Sequence, residues 1–353
     1  MRNLLEIQKQ LLPDLMETLK SRYTILHRIM LFDIVGRRTL AASLHMTERV
    51  LRSETDLLKS QGLIEIDSMG MKINDSGRKL LESLEPLAKN LFGLTDLEDK
   101  IRQTYGLRKV VIVPGDCELS PVAKKELGRA GAKALLSVMG NQDIIAVTGG
   151  STLAAVAEQL TQTSSAHLKG TWFVPARGGL GESMEFQANT IASTMAKRVG
   201  AQYRLLHIPD LLSEDAYQSL FQDLNIQEIV QTIRQSRIIV HGIGNAIEMT
   251  RRRRLDPTSI QGIQEEGAVA ESFGYYFNKQ GAVVHKMLTL GLRLEDIMNT
   301  EIVIGIAGGK SKASAIHAVL RFGQEDILVT DEAAALEIEK EMDKNPLMTQ
   351  NDD

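Results

Sequence analysis

Seven short apolar runs alternate with helical stretches between residues 110 and 329. They are Val110–Val113, Ile144–Val147, Thr171–Val174, Tyr203–Ile208, Ile238–Ile243, Ile302–Ile306 and Ile327–Val329. Runs that are apolar throughout belong to strands covered on both faces, and helices between them supply the crossovers of a largely parallel sheet. Residues 93–353 are therefore predicted to form a large, Rossmann-like α/β domain. Thr95-x-x-Glu98 reads as a capping box that opens a short helix at its start.

Residues 1–92 have another texture. Leu4, Leu5, Leu11, Leu12, Leu15, Met16 and Leu19 make an apolar stripe, which Pro13 is expected to kink or break. A second helix is predicted from Tyr23 to Val35, with Ile25, Leu26, Ile29, Met30 and Phe32 inward. A short third follows over Thr39–Leu44, and a longer one is capped by Thr47 and stopped at Gly62. The period then changes to two. Ile64 and Ile66 alternate with Glu65 and Asp67, Met69-Gly70 turns the chain, and Met71-Lys72-Ile73 returns. Leu80, Leu81, Leu84, Leu87, Ala88 and Leu91 resume a helical stripe, a candidate linker or dimer seam. Helices followed by a hairpin describe a winged helix-turn-helix.

In such a fold the second helix of the pair enters the major groove by its N-terminal residues. Here Val50, Leu51, Leu57 and Leu58 are expected on the inner face, with Glu48, Arg49, Arg52, Ser53 and Asp56 opposite. Arg49 and Arg52 suit guanine edges, and Ser53 and Thr47 suit phosphates. Arg37, Arg38 and the wing residue Lys72 are candidate backbone contacts. The plainer reading is that these arginines solubilise an exposed helix, and a winged helix also serves as a protein-binding module.

Charge is distributed in keeping with this division. The chain of 353 residues carries a formal net charge of −4, yet residues 1–92 hold 14 Lys/Arg against 12 Asp/Glu, and the rest 27 against 33. Binding to phosphate backbones needs a local basic face, so DNA is an expected partner of the first part only. A single cysteine, Cys117, excludes an internal disulfide framework and a cysteine-rich zinc site. It is expected to be inert. No apolar run approaches the ~20 residues of a bilayer span, and Met1–Glu6 shows no signal-peptide core. The expected location is the cytoplasm, with no membrane partner, no metal and no cofactor.

Three glycine-rich loops follow predicted strands. Thr148-Gly149-Gly150-Ser151-Thr152 opens a helix, where backbone N–H groups and two hydroxyls make an anion cradle. No lysine follows at Walker spacing. Ala307-Gly308-Gly309-Lys310-Ser311-Lys312 repeats the arrangement with Lys310 at its mouth, and Arg177-Gly178-Gly179 ends a third strand. Ligands of open α/β sheets bind beyond the carboxyl ends of strands, where the three loops can converge. The run Arg251–Arg254 can add a guanidinium. Each Gly-Gly taken alone is also ordinary turn punctuation, and His241 reads as a packing histidine.

These segments, together with Val113-Pro114-Gly115-Asp116, Gln187-Ala188-Asn189-Thr190, Gly267-Ala268-Val269-Ala270-Glu271 and Val329-Thr330-Asp331-Glu332-Ala333, resemble the SorC family of sugar-binding transcription regulators over nearly the whole chain. The resemblance implies an effector domain like the sugar-phosphate isomerases and glucosamine-6-phosphate deaminases, used for sensing without turnover. For glycolytic members it implies fructose 1,6-bisphosphate as inducer and repression of lower-glycolysis genes. Carried over, Gly149, Gly150, Ser151, Thr152 and Lys310 hold one phosphate and Arg177 and Arg252 the other, with Gln187 and Glu271 near sugar hydroxyls. Many family members have aspartate in place of Glu271 and other residues in place of the four arginines. The implied protein is a repressor that binds operator DNA as a dimer or tetramer. The rival is a sugar-phosphate isomerase or deaminase, for which Glu271 and His241 are the available acid–base groups.

Overall fold

The computed structural model describes residues 11–161, 168, 170–180 and 183–344. The chain divides into two compact units, Met1–Asp96 and Leu97–Asp353.

In the first unit, helices Pro13–Phe32, Arg37–Ser43 and Glu48–Ser60 are followed by strands β1 (Ile64–Ile66) and β2 (Met71–Ile73) and helix Asp75–Leu91. The strands pair antiparallel with Glu65 opposite Lys72. Ile25, Leu26, Ile29, Leu40, Leu51, Leu58, Ile64 and Met71 form its core. Two expectations change here. Pro13 starts a helix rather than breaking one, because the first helical position needs no N–H; the two expected helices are thus a single one among the described residues. Leu11, Leu12 and Leu15 are exposed, and Leu4 and Leu5 lie outside the described residues. Val50 is exposed as well, and the inner face of its helix is Leu51, Thr55 and Leu58.

The second unit holds strands β3 (Lys109–Val113), β4 (Ile144–Val147), β5 (Trp172–Pro175), β6 (Gln202–Tyr203), β7 (Ile238–His241), β8 (Gly244–Asn245), β9 (Ala268–Ser272), β10 (Tyr275–Asn278), β11 (Val283–Lys286), β12 (Ile302–Ile306) and β13 (Ile327–Asp331). Seven form a parallel sheet in the order β3-β13-β12-β7-β4-β5-β6. Counted from β4, that is the dinucleotide-fold order 3-2-1-4-5-6 with β3 added beyond β13, and the order reverses between β4 and β7. Its strands are apolar because both faces are covered: Ile145, Val147, Phe173, Ile238, Val240, Ile304 and Val329 share one core.

The strand expected over Tyr203–Ile208 ends after Tyr203, because the Asn189 side chain bonds both backbone groups of Leu206, at 3.0 Å each. Thr95 lies inside helix Leu94–Tyr105, and Glu98 accepts the N–H of Ile112 at 2.7 Å. A four-stranded antiparallel sheet, β11-β10-β9-β8, was not anticipated. Among the described residues no helix is long and apolar enough to cross a membrane.

Helices Pro121–Leu136 and Ser151–Gln159 touch so closely that a Cβ at Gly128 would lie 2.6 Å from the Ala155 carbonyl oxygen. Glycine to alanine normally stabilises a helix by about 0.5–1 kcal/mol. Gly128→Ala is expected instead to destabilise by about 1–3 kcal/mol through overpacking. Gly262→Ala, where nothing lies within 4 Å, should be neutral or stabilising. Urea midpoints for the two variants check this, and equal shifts would contradict the packing argument.

Candidate functional site

At the reversal between β4 and β7 the chain leaves two neighbouring strands toward opposite halves of the sheet, which opens a crevice at their carboxyl ends. The Thr148 hydroxyl bridges it by accepting the N–H of Gly242 at 3.1 Å. A cavity lies there, lined by the Thr148–Leu153 segment after β4, Arg177 and Gly178 after β5, and Gly242–Gly244 after β7. Gln187, Glu248, Met249, Arg252, Glu271, Phe273 and Lys312 complete its polar and apolar walls. The cavity opens to solvent at its mouth.

Eight of the nine sequence-expected ligand residues line this cavity: Gly149, Gly150, Ser151, Thr152, Arg177, Gln187, Arg252 and Glu271. The Gly150 N–H is taken by the Phe186 carbonyl at 2.8 Å. The first backbone bond within the following helix runs from Ala154 to Gly150. The N–H groups of Ser151, Thr152 and Leu153 therefore lack intrahelical acceptors, as helix starts do. With the two hydroxyls they make a donor-rich seat that favours an anion.

Lys310 is the exception. Its ammonium stands 3.3 Å from Glu337, outside the cavity. The Gly308–Ser311 turn is not an empty anion seat either, because the Glu118 carboxylate accepts both the N–H and the hydroxyl of Ser311. Lys312, two residues on, is the lysine that reaches the cavity. The 3-10 turn Lys310–Lys312 decides which lysine faces inward, and no sequence pattern announces such a turn.

Helix Ala246–Arg252 resolves the arginine run. Glu248 and Arg252, four residues apart, share its cavity face. Arg253 turns inward and is 7% exposed. It binds Asp210 through Nε at 3.0 Å, Glu271 through Nη2 at 2.8 Å and the Tyr276 hydroxyl through Nη1 at 3.2 Å. Glu271 stands opposite Tyr276 in the β9–β10 register, so both reach the same face. Arg177 closes a ring, with Nε 3.1 Å from Asp210 and Nη1 3.2 Å from Glu271. Asp210 and Arg253 were missed in the sequence, since neither a lone aspartate after proline nor one arginine among four is distinctive.

Burial pushes the Glu271 carboxyl up, but the guanidiniums of Arg253 and Arg177 and the Gly274 N–H outweigh it and hold the group down at about 2. Its Oε1 takes all three contacts. An ionised carboxylate so tied is a poor proton carrier at carbon. His241 is fully buried, its Nδ1 2.8 Å from the Ser272 hydroxyl and its Nε2 2.9 Å from Glu325. It does not line the cavity. Burial pushes the Cys117 thiol far up, and the neighbouring Asp331 adds to it, as fits an inert cysteine.

In the first unit Arg38, Thr47, Arg49, Arg52 and Ser53 are exposed and Arg37 is half-buried. Thr47 also caps its helix, accepting the N–H of Val50 at 3.4 Å. Arg52 lies 3.7 Å from Asp56, and Lys72 lies 3.0 Å from Glu65 across the hairpin. These are exposed pairs of small energy, which a phosphate can replace.

A sugar-binding domain family matches residues 89–338, and the CggR N-terminal DNA-binding domain matches residues 18–88. The chain belongs to the SorC family of sugar-binding transcription regulators. It is 46% identical to a central glycolytic genes regulator of Priestia megaterium, over 96% of this chain and 98% of that one. It is 44% identical to one of Bacillus subtilis, over 95% and 98%. A SorC-family regulator structure from Enterococcus faecalis, 38% identical, superposes with a TM-score of 0.65 over 69% of this chain and 99% of its own. Full-length SorC of Klebsiella pneumoniae, 19% identical, shares the fold with a TM-score of 0.63 over 86% and 94%. These relatives are transcription regulators and not enzymes, so the isomerase or deaminase reading falls away.

The depressed Glu271 group has a pH consequence. A carboxyl held below its ordinary value stabilises the fold fully above that value, and the contribution is lost as pH falls toward the folded value. Glu271→Gln should cost about 3–5 kcal/mol at pH 7, since it leaves two buried arginines short of charge. The gap between variant and wild type should shrink as pH drops from about 4.5 toward 2. Urea unfolding at several pH values measures it, and a gap independent of pH would refute the ion-pair account.

Proposed function

We propose that this chain represses an operon of lower-glycolysis genes in the cytoplasm and is released from operator DNA by a phosphorylated sugar, fructose 1,6-bisphosphate above others. The observation that carries the reading is one cavity furnished for anions from several elements. The helix start at Ser151–Leu153 and Lys312 suit one phosphate, Arg177 and Arg252 suit a second, and Gln187 and Glu271 suit hydroxyls between them. The Priestia and Bacillus relatives, by their names, regulate central glycolytic genes, which supports the same choice of operon.

The ligand acts by preferring one state of the protein, since only a difference in affinity shifts an equilibrium. Thermal unfolding against a panel of sugar phosphates tests the effector. A ligand at 100 times its Kd stabilises by ~2.7 kcal/mol. A bisphosphate-specific shift, reduced in Thr152→Val and in Arg252→Ala, is the expected result. A shift with monophosphates alone would remove fructose 1,6-bisphosphate as effector.

The DNA-reading half is tested separately. Arg49→Ala and Arg52→Ala should each weaken operator binding by about 1–3 kcal/mol and relax base preference where they act. Lys72→Ala should weaken all sequences alike. We assign a dimer or larger assembly as the operator-binding form, because paired recognition helices read half-sites about one DNA turn apart. Sedimentation of the DNA complex decides this, and a monomeric complex would refute it.

A further inference from the structure

Arg177 and Arg253 share the same two carboxylates, yet only Arg253 has a hydrogen bond at every guanidinium nitrogen. Each of its guanidinium nitrogens has a partner, in Asp210, Tyr276 or Glu271. Arg253 is buried and is not among the residues that line the cavity. Arg177 is 8% exposed and lines the cavity. Its Nη1 is buried and makes no hydrogen bond, since its approach to Glu271 lacks the geometry of one. Leaving a buried donor unpaired costs about 1–3 kcal/mol, more for a charged group. Asp210 Oδ1, 3.1 Å from Arg177 Nε, likewise lacks a hydrogen bond, so Arg177 is held in the ring by charge, with weaker hydrogen bonding than Arg253 has.

We infer that Arg253 is a positioning residue which, with Asp210, fixes Arg177 so that its guanidinium meets an anionic group of the ligand at the cavity wall. It thereby sets the preference for a ligand with two phosphates over one. The inference deepens the effector reading above and rests on it. Asp210 places one oxygen near each arginine, Oδ1 by Arg177 and Oδ2 by Arg253. The backbone of Arg177 is clamped from the same side: a Cβ at Gly178 would lie 2.4 Å from the Pro209 carbonyl oxygen. Arg253 therefore competes with Arg177 for both carboxylates. Were its planar fork replaced by the single ammonium of lysine, Asp210 and Glu271 would fall to Arg177 and draw its donors off the cavity.

The test is calorimetric titration of the full-length wild type, Arg253→Lys and Asp210→Asn with two probes, fructose 1,6-bisphosphate and fructose 6-phosphate. Wild type should prefer the bisphosphate by about tenfold or more, equivalent to ~1.4 kcal/mol. Arg253→Lys should remove most of that preference while the monophosphate affinity stays within about twofold. Asp210→Asn, nearly the same shape, should repeat the selective loss and carries the test should the lysine variant fail to fold. Loss of both affinities alike, or of neither, overturns the positioning role while leaving the effector reading intact. A wild type that binds the two sugars equally overturns the effector reading itself, and the inference with it.

Discussion

β4 and β7 lie side by side, but the chain continues from β4 toward β5 and β6 and from β7 toward β12 and β13. No crossover can close the space between their ends, so a crevice is the geometric consequence of the strand order. What lines it follows from the same order. The glycine loop after β4 supplies a helix start, the β5 loop an arginine and the β7 loop a glycine. The Thr148 hydroxyl ties the two diverging ends together. The close seat of Gly128 against Ala155 keeps the helix that carries Ser151 and Thr152 pressed on its neighbour, Pro121–Leu136. The anion seat is thus held by main-chain packing and needs no flexible side chain to form.

The opposite wall is built on another principle. Two arginines and two carboxylates sit together with little access to water, and desolvation there costs several kcal/mol per ion. An apolar filling of equal volume would often be as stable. Tyr276 and the Gly274 N–H add hydrogen bonds to the ring, yet Arg177 Nη1 is still left without one. A stability argument alone would fill that nitrogen's need from within the protein. A binding argument accepts that cost, because a guanidinium held in place at a cavity wall binds an anion with little further ordering.

The parallel sheet was legible because buried strands read as unbroken apolar runs; six of the seven runs became strands of it, and the seventh, Tyr203–Ile208, joins it only at Tyr203. The small antiparallel sheet was not. Ala268–Ser272 and Tyr275–Asn278 are nearly all buried on both faces, so they lack the alternation that marks a hairpin, and Gly244–Asn245 is too short to register. The glycine loop after β4 was legible from residue type and place, whereas the choice of Arg252 among four arginines came only from the family resemblance. One turn of 3-10 helix puts Lys312 on the cavity wall and Lys310 beside Glu337. That an acidic side chain from another loop, Glu118, would fill the second glycine loop is a long-range fact that local pattern does not contain.

On the proposed reading, the two walls have different parts in regulation. Contacts to the rigid seat at Ser151–Leu153 would be made alike in any state of the domain, and equal contacts shift nothing. Moving a two-state equilibrium from 1:99 to 99:1 takes about 5.5 kcal/mol of differential binding. A hydrogen bond to a charged group contributes about 1.5–3 kcal/mol, so two to four such bonds must depend on the state. Arg177, Arg252, Glu271 and Gln187 belong to other elements than the seat: a strand-end loop, the helix after β8, the small sheet and the turn before Ala188. They are enough in number, and they become state-dependent if those elements shift against the main sheet. A monophosphate resting on the seat alone would bind without switching, whereas a ligand that spans both walls holds them at one separation. The second anionic group is then the switching group, and the wall that carries Arg177 is where the difference between states has to reside.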